Sequence, residues 1–452
     1  MKKVYGYIDE KFDQFVGELI DLCRYPSISA QKKGLQACAG VLVEHIRAIG
    51  LHGEIMPMGG PDNPPLVYGR LDVPGAKRTL FIYGHFDVQP PEPLKAWETP
   101  PFQPEIRNGR IYGRGTGDNK GQFFAHLKSI EALSNAGDGV PVNLRILLDP
   151  QEEIGSPMLE DFVTKHADLF RADFGYNADG SAGEGNVPML SFGNRGVCAV
   201  EVRARAGSRD THSGQFGGLM PNAACRLVDF LKTLRDESGR VRIEGFYENV
   251  LPPDDADQAA MEAIPFEQTA WLREMGLSRE DGPEEWSHFE KVMFRPALNI
   301  NGLTSGYGGS GPKTVIPCEA LAKIDMRLVK NQTPVEIFEK FVSHARKNGF
   351  GDLEIIPQMQ YYPSKTPLGH SMGRAVIAAV KDVFEREPLV YPVTGGSNPS
   401  YIFNELCGIP MVKVPYANFD ESNHAPNENL SLDFFRKGIM TSARVIRDLG
   451  GL

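Results

Sequence analysis

Residues 79–90 read TLFIYGHFDVQP, an apolar run that ends abruptly in polar residues. Similar short runs are LVYGRLD at 66–72, VNLRILLD at 142–149 and FGYNAD at 174–179. The apolar spacing of KGQFFAHLKSIEALSNAG, at 120–137, predicts a helix, as it does in two earlier segments at about 7–24 and 36–49. Short apolar strands interleaved with helices predict an α/β fold, with a mixed, mainly parallel sheet flanked by helices.

The pattern changes near residue 195. VCAVEVRARA, at 197–206, alternates apolar and polar residues, which is typical of a strand with one face in water. Further strands are expected near 297–302 and 319–329, and the helix–strand–helix pattern of the first region returns after Pro363. We therefore expect a discontinuous first domain at 1–195 and 364–452, with an inserted α+β domain at 196–363.

Length and composition indicate the number of domains and exclude some classes of binding partner. A chain of 452 residues exceeds what one hydrophobic core usually organises, which favours two domains. With 58 acidic and 48 basic residues, the net charge of -10 provides no basic excess for nucleic acid and argues against an anionic membrane. The six cysteines form no CxxC pair, and the chain has neither a signal-peptide pattern nor an apolar run of membrane-spanning length. A cytoplasmic protein with free thiols is expected.

Polar side chains follow three of the apolar strands. His85 and Asp87 lie in GHFDVQP, Glu152 and Glu153 in LLDPQEEIGS, and Asp179 in YNADGS. Ligands of an open α/β sheet collect at the carboxyl ends of its strands. Two residues apart in an extended chain, Asp87 and His85 point to the same side, so Asp87 could accept the other ring N–H of His85.

Two loops contribute further candidates. Asp118 lies in YGRGTGDNKGQ, where glycines allow close backbone approach just before the predicted helix. His424 lies in DESNHAPNENL, between the buried-type strand GIPMVKVPY and the closing helix.

Taken singly, each candidate has an ordinary structural explanation. Asp118 suits a helix N-cap, and Asp179 precedes a glycine, as in many turns. Glu152 and Glu153 could form a solvated acidic turn. The two histidines could be polar residues at a strand end and in an exposed loop.

Their shared placement favours a metal centre. Nitrogen and oxygen ligands without cysteine suit zinc, manganese or cobalt. One carboxylate bridging two ions would leave each ion with three protein ligands and a shared water. The five candidate ligands are His85, Asp118, one glutamate of the pair Glu152 and Glu153, Asp179 and His424. Of the neighbouring glutamates, one would then be a ligand and the other a general base.

Six motifs together resemble the carnosinase and cytosolic non-specific dipeptidase branch of the aminoacylase and carboxypeptidase G superfamily. They are GHFDVQP, WETPPFQPEIRNGRIYGRGTGDNKGQ, PQEEIGS, NADG, RDTHSG and SNHAPNE. The resemblance spans nearly the whole chain and is weakest at about 236–295, where only a long lid insertion of the family's kind is recognisable.

The resemblance implies a role for each candidate. Asp118 would bridge two divalent ions, with zinc the first choice and manganese or cobalt as alternatives. His85 and Asp179 would complete one site, and Glu153 and His424 the other. Glu152 would be the general base. The resemblance also implies a cis peptide bond after Asp118.

The inserted domain would be the family's lid and dimerisation domain. His212, in RDTHSG, would reach the active site of the partner subunit in a homodimer. Arg327 in DMRLV, Thr314 in KTVIP and Ser397 in GGSNPS match positions that contact substrate, and an arginine offers a bidentate grip on a carboxylate.

The first functional hypothesis is a two-metal hydrolase that cleaves the amide bond of dipeptides or other short peptides, with water activated by Glu152. The alternative is an amidohydrolase of the same architecture acting on an N-acyl amino acid or another small amide. A scaffold without catalysis is a third hypothesis, which the complete set of ligands and Glu152 disfavours.

Overall fold

The computed structural model describes residues 1–60 and 63–452. Its strands are β1 His52–Met56, β2 Leu66–Leu71, β3 Thr79–His85, β4 Glu105–Arg107, β5 Arg110–Tyr112, β6 Asn143–Asp149, β7 Phe174–Asn177, β8 Met189–Ser191, β9 Gly193–Asn194, β10 Gly196–Arg205, β11 Thr211–His212, β12 Ala297–Ser305, β13 Val315–Ile316, β14 Glu319–Leu328, β15 Glu354–Tyr361, β16 Ser364–Lys365, β17 Leu389–Tyr391, β18 Met411–Lys413 and β19 Asn429–Ser431.

The helices differ in length from one turn to six. They are α1 Lys2–Cys23, α2 Leu35–Ala48, α3 Lys120–Ala136, α4 Leu159–Lys165, α5 Ser213–Phe216, α6 Ala223–Leu234, α7 Asp255–Glu262, α8 Gln268–Glu274, α9 His288–Met293, α10 Pro334–Lys347, α11 Ser371–Phe384 and α12 Leu432–Leu449.

The chain divides into two compact units. The first comprises Met1–Gly193, Lys365–Pro392 and Pro399–Leu452, and the second comprises Asn194–Ser364 and Val393–Asn398. The short segment Val393–Asn398 thus groups with the second unit, although it falls inside the sequence range expected for the first domain.

The first unit is built on an eight-stranded sheet with the order β1-β2-β6-β3-β7-β18-β8-β17. Four of its seven neighbouring pairs are parallel, including β3 with both β6 and β7. The antiparallel pairs are β1–β2, β2–β6 and β18–β8. The predicted mixed, mainly parallel sheet is therefore confirmed.

The apolar runs of the sequence form the core of this unit. Residues Leu80, Phe81 and Ile82 of β3 are at most 1% exposed, as expected for a strand covered on both faces. Helix α3 is buried along most of its length and packs against α1 and α12. The spaced apolar residues of α1 and α12 form the buried faces of those helices, whereas α3 is buried on nearly all sides.

The second unit is a four-stranded antiparallel sheet, β12-β14-β10-β15, with α6 and α10 packed against it. Strand β10 pairs with β14 over its whole length, from Gly196 opposite Leu328 to Arg205 opposite Glu319. Alternate residues of β10 are buried, as its sequence pattern predicts. The charged stretch at 236–295 contains α7, α8 and α9, and capping boxes begin both α7 and α9.

Among residues 1–60 and 63–452, no helix combines the length and the apolar composition that crossing a bilayer requires. All six cysteines are free thiols.

Candidate metal centre

The topology of the first unit places three polar strand ends at one edge of the sheet. Strand β3 lies between β6 and β7 and is parallel to both, so all three strands end on the same side. His85 is the last residue of β3. Glu152 and Glu153 begin a 3₁₀ turn just after β6, and Asp179 follows β7 by two residues.

These side chains converge with those of two loops. His85, Asp118 and Asp179 form one group of potential ligands, and Asp118, Glu153 and His424 form a second. Within each group the ligand atoms lie within 4.8 Å of one another. The two groups share Asp118.

The carboxylate of Asp118 faces both histidines. Its Oδ1 lies 3.1 Å from Nε2 of His85, and its Oδ2 lies 3.1 Å from Nε2 of His424. The same Nε2 of His424 is 3.1 Å from Oε2 of Glu153. Each oxygen of Asp118 is thus directed into a different ligand group, as a bridging carboxylate requires.

The negative field of the carboxylates favours positive charge on both histidines. Hydrogen bonds to Asp118 and Glu153 raise the pKa of His424 to about 10. Burial lowers the pKa of His85, but hydrogen bonds to Asp118 and Asp87 outweigh burial and hold it well above the usual range. A divalent cation would compete with these protons, because a ligating imidazole must be neutral.

Glu152 lies beside both groups without belonging to either. Burial raises its pKa to about 8; His85 opposes the rise, and the carboxylates of Asp179, Asp118 and Glu153 add to it. Its neighbour Glu153 differs, because Oε2 of Glu153 accepts a hydrogen bond from Nε2 of Gln89 at 2.9 Å as well as facing His424. The turn therefore directs one glutamate into a ligand group and leaves the other beside it.

Asp87 connects two parts of the centre. Its Oδ1 lies 3.3 Å from Nδ1 of His85, the contact anticipated from their spacing. Its two oxygens also accept hydrogen bonds from the backbone N–H groups of Glu152 and Glu153, at 3.0 and 3.1 Å. Asp87 is fully buried, so these bonds fix the start of the glutamate turn relative to His85.

Two amide side chains, which the sequence reasoning missed, hold the loop of Asp118. Nδ2 of Asn119 donates to the carbonyl of Ala178 at 2.7 Å and faces Oδ1 of Asp179 at 3.3 Å. Nε2 of Gln122 donates to the carbonyl oxygens of Gly117 and Gly180, at 2.8 and 2.9 Å. Their signal was present in GDNKGQ, where both amides follow Asp118 closely. The peptide bond between Asp118 and Asn119 is cis, as the resemblance implied.

The residues fit a pair of divalent cations. Each group combines one imidazole with carboxylates, and the one shared member is a carboxylate whose two oxygens face different groups. Nitrogen and oxygen donors of this kind suit zinc, manganese and cobalt.

The remaining predicted residues form two pairs within the second unit. Nδ1 of His212 accepts a hydrogen bond from the N–H of Gly214 at 3.0 Å, which leaves Nε2 as the protonated nitrogen of the neutral ring. That Nε2 lies 3.3 Å from Oγ1 of Thr314. Nη1 of Arg327 donates to Oγ of Ser397 at 3.2 Å, and its Nε donates to Asp325 at 2.6 Å.

Comparison with known proteins identifies relatives along the whole chain. The family model described as peptidase family M20/M25/M40 matches residues 81–448. A Cys-Gly metallodipeptidase of Schizosaccharomyces pombe is 28% identical over 100% of this chain and 99% of its own. A Beta-Ala-His dipeptidase of Rattus norvegicus is 26% identical over 95% of this chain and 92% of its own.

A solved structure supports the same grouping. The crystal structure of an M20 family metallo-carboxypeptidase from Sulfolobus solfataricus has a TM-score of 0.87 and 32% sequence identity, covering 97% of this chain and 99% of that one. The family match extends over most of the chain and includes every residue of both ligand groups. This chain therefore belongs to peptidase family M20/M25/M40.

Proposed function

We propose that this protein is a two-metal dipeptidase, which hydrolyses the amide bond of dipeptides or other short peptides. The observation that carries the proposal is the pair of ligand groups joined by Asp118, with Glu152 beside both. Relatives named as a Cys-Gly metallodipeptidase and a Beta-Ala-His dipeptidase support a dipeptide substrate.

Each ligand group would hold one divalent ion. His85, Asp118 and Asp179 would bind the first, and Asp118, Glu153 and His424 the second. When bound, such ions act as Lewis acids toward the scissile carbonyl and make water more acidic. Zinc is the first choice, with manganese and cobalt as alternatives that suit the same donors.

Glu152 is proposed as the general base. Glu152 is a carboxylate next to both groups that neither group uses, and its turn is anchored by Asp87, whose own oxygens accept backbone N–H groups. Glu152 would take a proton from the attacking water and then pass it to the leaving amine. His212 would donate a hydrogen bond from its Nε2–H to the oxyanion that develops on the carbonyl.

Arg327, Ser397 and Thr314 are proposed to bind substrate. Arg327 keeps donors beyond those bonded to Asp325 and Ser397, because a guanidinium carries five N–H groups. It would hold the carboxylate end of a dipeptide, with the hydroxyl of Ser397 beside it. Thr314 would contact substrate beside His212, whose Nε2 lies 3.3 Å from its Oγ1.

We further propose that the second unit acts as a lid and dimerisation domain, so that His212 serves the active site of the partner subunit in a homodimer. The support is the resemblance of RDTHSG to the family's motif, together with the exposed position of His212. A cytoplasmic location is proposed from the six free cysteines.

A carboxypeptidase is the second candidate function. The observation favouring it is the metallo-carboxypeptidase from Sulfolobus solfataricus, at 32% identity over almost the whole chain. Both activities would use the same metal centre and a grip on a free carboxylate, and they differ in the length of peptide accepted. The relatives named above are peptidases and do not favour an N-acyl amino acid deacylase.

The experiment is a substrate panel for the metal-reconstituted protein, with dipeptides, longer peptides and N-acyl amino acids compared by kcat/KM. The dipeptidase proposal expects the highest values for dipeptides; a preference for longer peptides would favour the carboxypeptidase. Glu152→Gln should bind metal normally while its kcat falls by about 10²- to 10⁴-fold. Unchanged turnover in this variant would exclude Glu152 as the base.

A further inference from the structure

We infer that Glu428 is a positioning residue that fixes the backbone carrying Asp118 and ties it to the loop carrying His424. This inference rests on the proposed metal centre. Glu428 closes the motif SNHAPNE, of which the proposed function uses only His424.

The side chain of Glu428 is fully buried, and the donors that it binds among residues 1–60 and 63–452 all belong to the Asp118 loop. Its Oε1 accepts hydrogen bonds from the N–H groups of Gly117 and Asp118, both at 2.9 Å. Its Oε2 accepts from the N–H of Gly115 at 3.0 Å and from Nη1 of Arg114 at 2.8 Å. One carboxylate therefore receives four hydrogen bonds from four residues of the five-residue stretch 114–118.

Backbone and arginine contacts extend the same connection. The N–H of Gly113 donates to the carbonyl of Glu428 at 2.9 Å. Arg114 is 1% exposed, and its Nη2 donates to the carbonyl of Pro90, just beyond the strand end that carries His85 and Asp87. Glu428 thus adds side-chain hydrogen bonds to the connection that β5 and β19 already make, where Tyr112 pairs with Asn429.

Glutamate is the residue type that this arrangement needs. Charge-assisted bonds from backbone N–H groups and a guanidinium require an acceptor with two equivalent oxygens. Glutamine offers one acceptor oxygen and would direct its NH₂ group at N–H donors of the loop. An unsatisfied buried donor is costly, so the loop would shift and Asp118 would move with it.

The inference predicts that Glu428→Gln loosens this loop and weakens metal binding. In metal-free protein, amide hydrogen exchange of a peptide covering residues 113–119 should become at least about 10-fold faster. Affinity for Co²⁺, followed by its visible absorption, should fall by about 10- to 100-fold, with an altered spectrum for the ions that bind.

Glu131→Gln is the matched control. Glu131 belongs to the same unit and lies on α3, away from the metal centre. It forms an ion pair with the buried Lys128 at 2.8 Å. This variant should lose stability through its broken pair and keep both the exchange of 113–119 and the cobalt spectrum of the wild type. If Glu428→Gln does not fold, Arg114→Lys should give the same changes in weaker form, because lysine cannot reach both Glu428 and Pro90.

Wild-type exchange at 113–119 in the Glu428 variant, or faster exchange with an unchanged cobalt affinity and spectrum, would overturn the inference. Failure of the wild-type protein to bind cobalt would instead contradict the proposed metal centre. Hydrogen exchange of the metal-free protein would still decide whether Glu428 anchors the loop.

Discussion

At the scale of single residues, two buried carboxylates outside the ligand groups bind the backbone on which the proposed ligands lie. Asp87 accepts backbone N–H groups at the glutamate turn, and Glu428 accepts them along the Asp118 loop. Both are fully buried. Such carboxylates orient ligands and add negative charge that favours a cation.

Asp87→Asn tests this role at the glutamate turn. Asparagine keeps one acceptor oxygen and replaces the other with a donor, so one of the two bonds to the N–H groups of Glu152 and Glu153 is lost. We expect kcat/KM to fall by about 10- to 100-fold, with weaker metal binding. Steady-state kinetics and metal titration measure both effects, and wild-type values for both would show that the turn does not need Asp87.

The residues predicted from the sequence and those it did not reveal differ in the kind of interaction that places them in the site. His85, Glu152, Glu153 and Asp179 follow apolar strands, so local pattern and the rules of parallel sheets suffice to predict that they meet. The roles of Asn119, Gln122 and Glu428 consist of hydrogen bonds to backbone groups brought close by tertiary folding. Glu428, for example, binds the N–H of Asp118 from 310 positions further along the chain. No local pattern of apolar and polar residues predicts such a bond.

At the scale of elements, the Asp118 loop leads directly into helix α3, which is largely buried. Gly121 lies in the first turn of α3, where a Cβ would stand 2.2 Å from the carbonyl oxygen of Thr116 and 2.4 Å from Cδ2 of Leu430. Real Cβ atoms do not approach backbone oxygens so closely. The start of α3 can therefore keep this position only with glycine at 121.

Gly121→Ala should consequently destabilise the protein by about 1–3 kcal/mol and reduce metal affinity, because the Asp118 loop must move. The control is Gly17→Ala, at an exposed position in α1 with no atom near the new Cβ. Alanine there should raise stability by about 0.5–1 kcal/mol through helix propensity. Melting temperatures measure both changes, and equal effects of the two variants would refute the steric argument.

The packing of α3 against α12 contains a fully buried histidine. Nδ1 of His126 lies 2.8 Å from Oγ of Ser442, and burial lowers the pKa of His126 to about 3. In the unfolded chain a histidine titrates near 6.5, so the unfolded state takes up a proton first as the pH falls. Stability from neutral His126 is complete above the unfolded pKa and is lost progressively as the pH falls toward about 3.

Between pH 6.5 and 5.0 the free energy of unfolding of the wild type should therefore fall by about 2 kcal/mol more than that of His126→Gln, which lacks this histidine. Urea unfolding of the metal-free proteins at both pH values measures the difference. His52→Gln, at an exposed position in β1, serves as the control and should follow the wild type. The linkage is contradicted if His126→Gln and wild type lose the same stability.

At the scale of the whole molecule, the fold class was predictable from the sequence, because strand and helix periods alternate over long stretches. The grouping of Val393–Asn398 with the second unit was not. It reflects contacts distant in sequence, such as Arg195 donating to the carbonyl of Gly395 at 3.2 Å and Arg327 to Ser397. These contacts join residues about 70 to 200 positions apart, which is farther than any local sequence pattern extends.

The proposed dimer makes a prediction about mixed subunits. If His212 acts across the interface, mixing inactive His212→Ala with inactive Glu152→Gln rebuilds one complete site in each mixed dimer. Random exchange of equal amounts should therefore restore about one quarter of the wild-type activity. Native mass spectrometry confirms exchange, and mixed dimers that stay inactive would show that His212 does not act on the partner subunit.

The most direct test of the proposed two-metal centre compares the number of bound ions with the hydrolytic activity. Metal-free protein is titrated with Zn²⁺ while bound metal and dipeptide hydrolysis are measured together, for the wild type and for Asp118→Asn. We expect two ions per wild-type chain, full activity only when both groups are filled, and loss of both ions and activity in Asp118→Asn, because Asp118 belongs to each group. Full activity with one ion or none, or two tightly bound ions in Asp118→Asn, would contradict a two-metal centre bridged by Asp118.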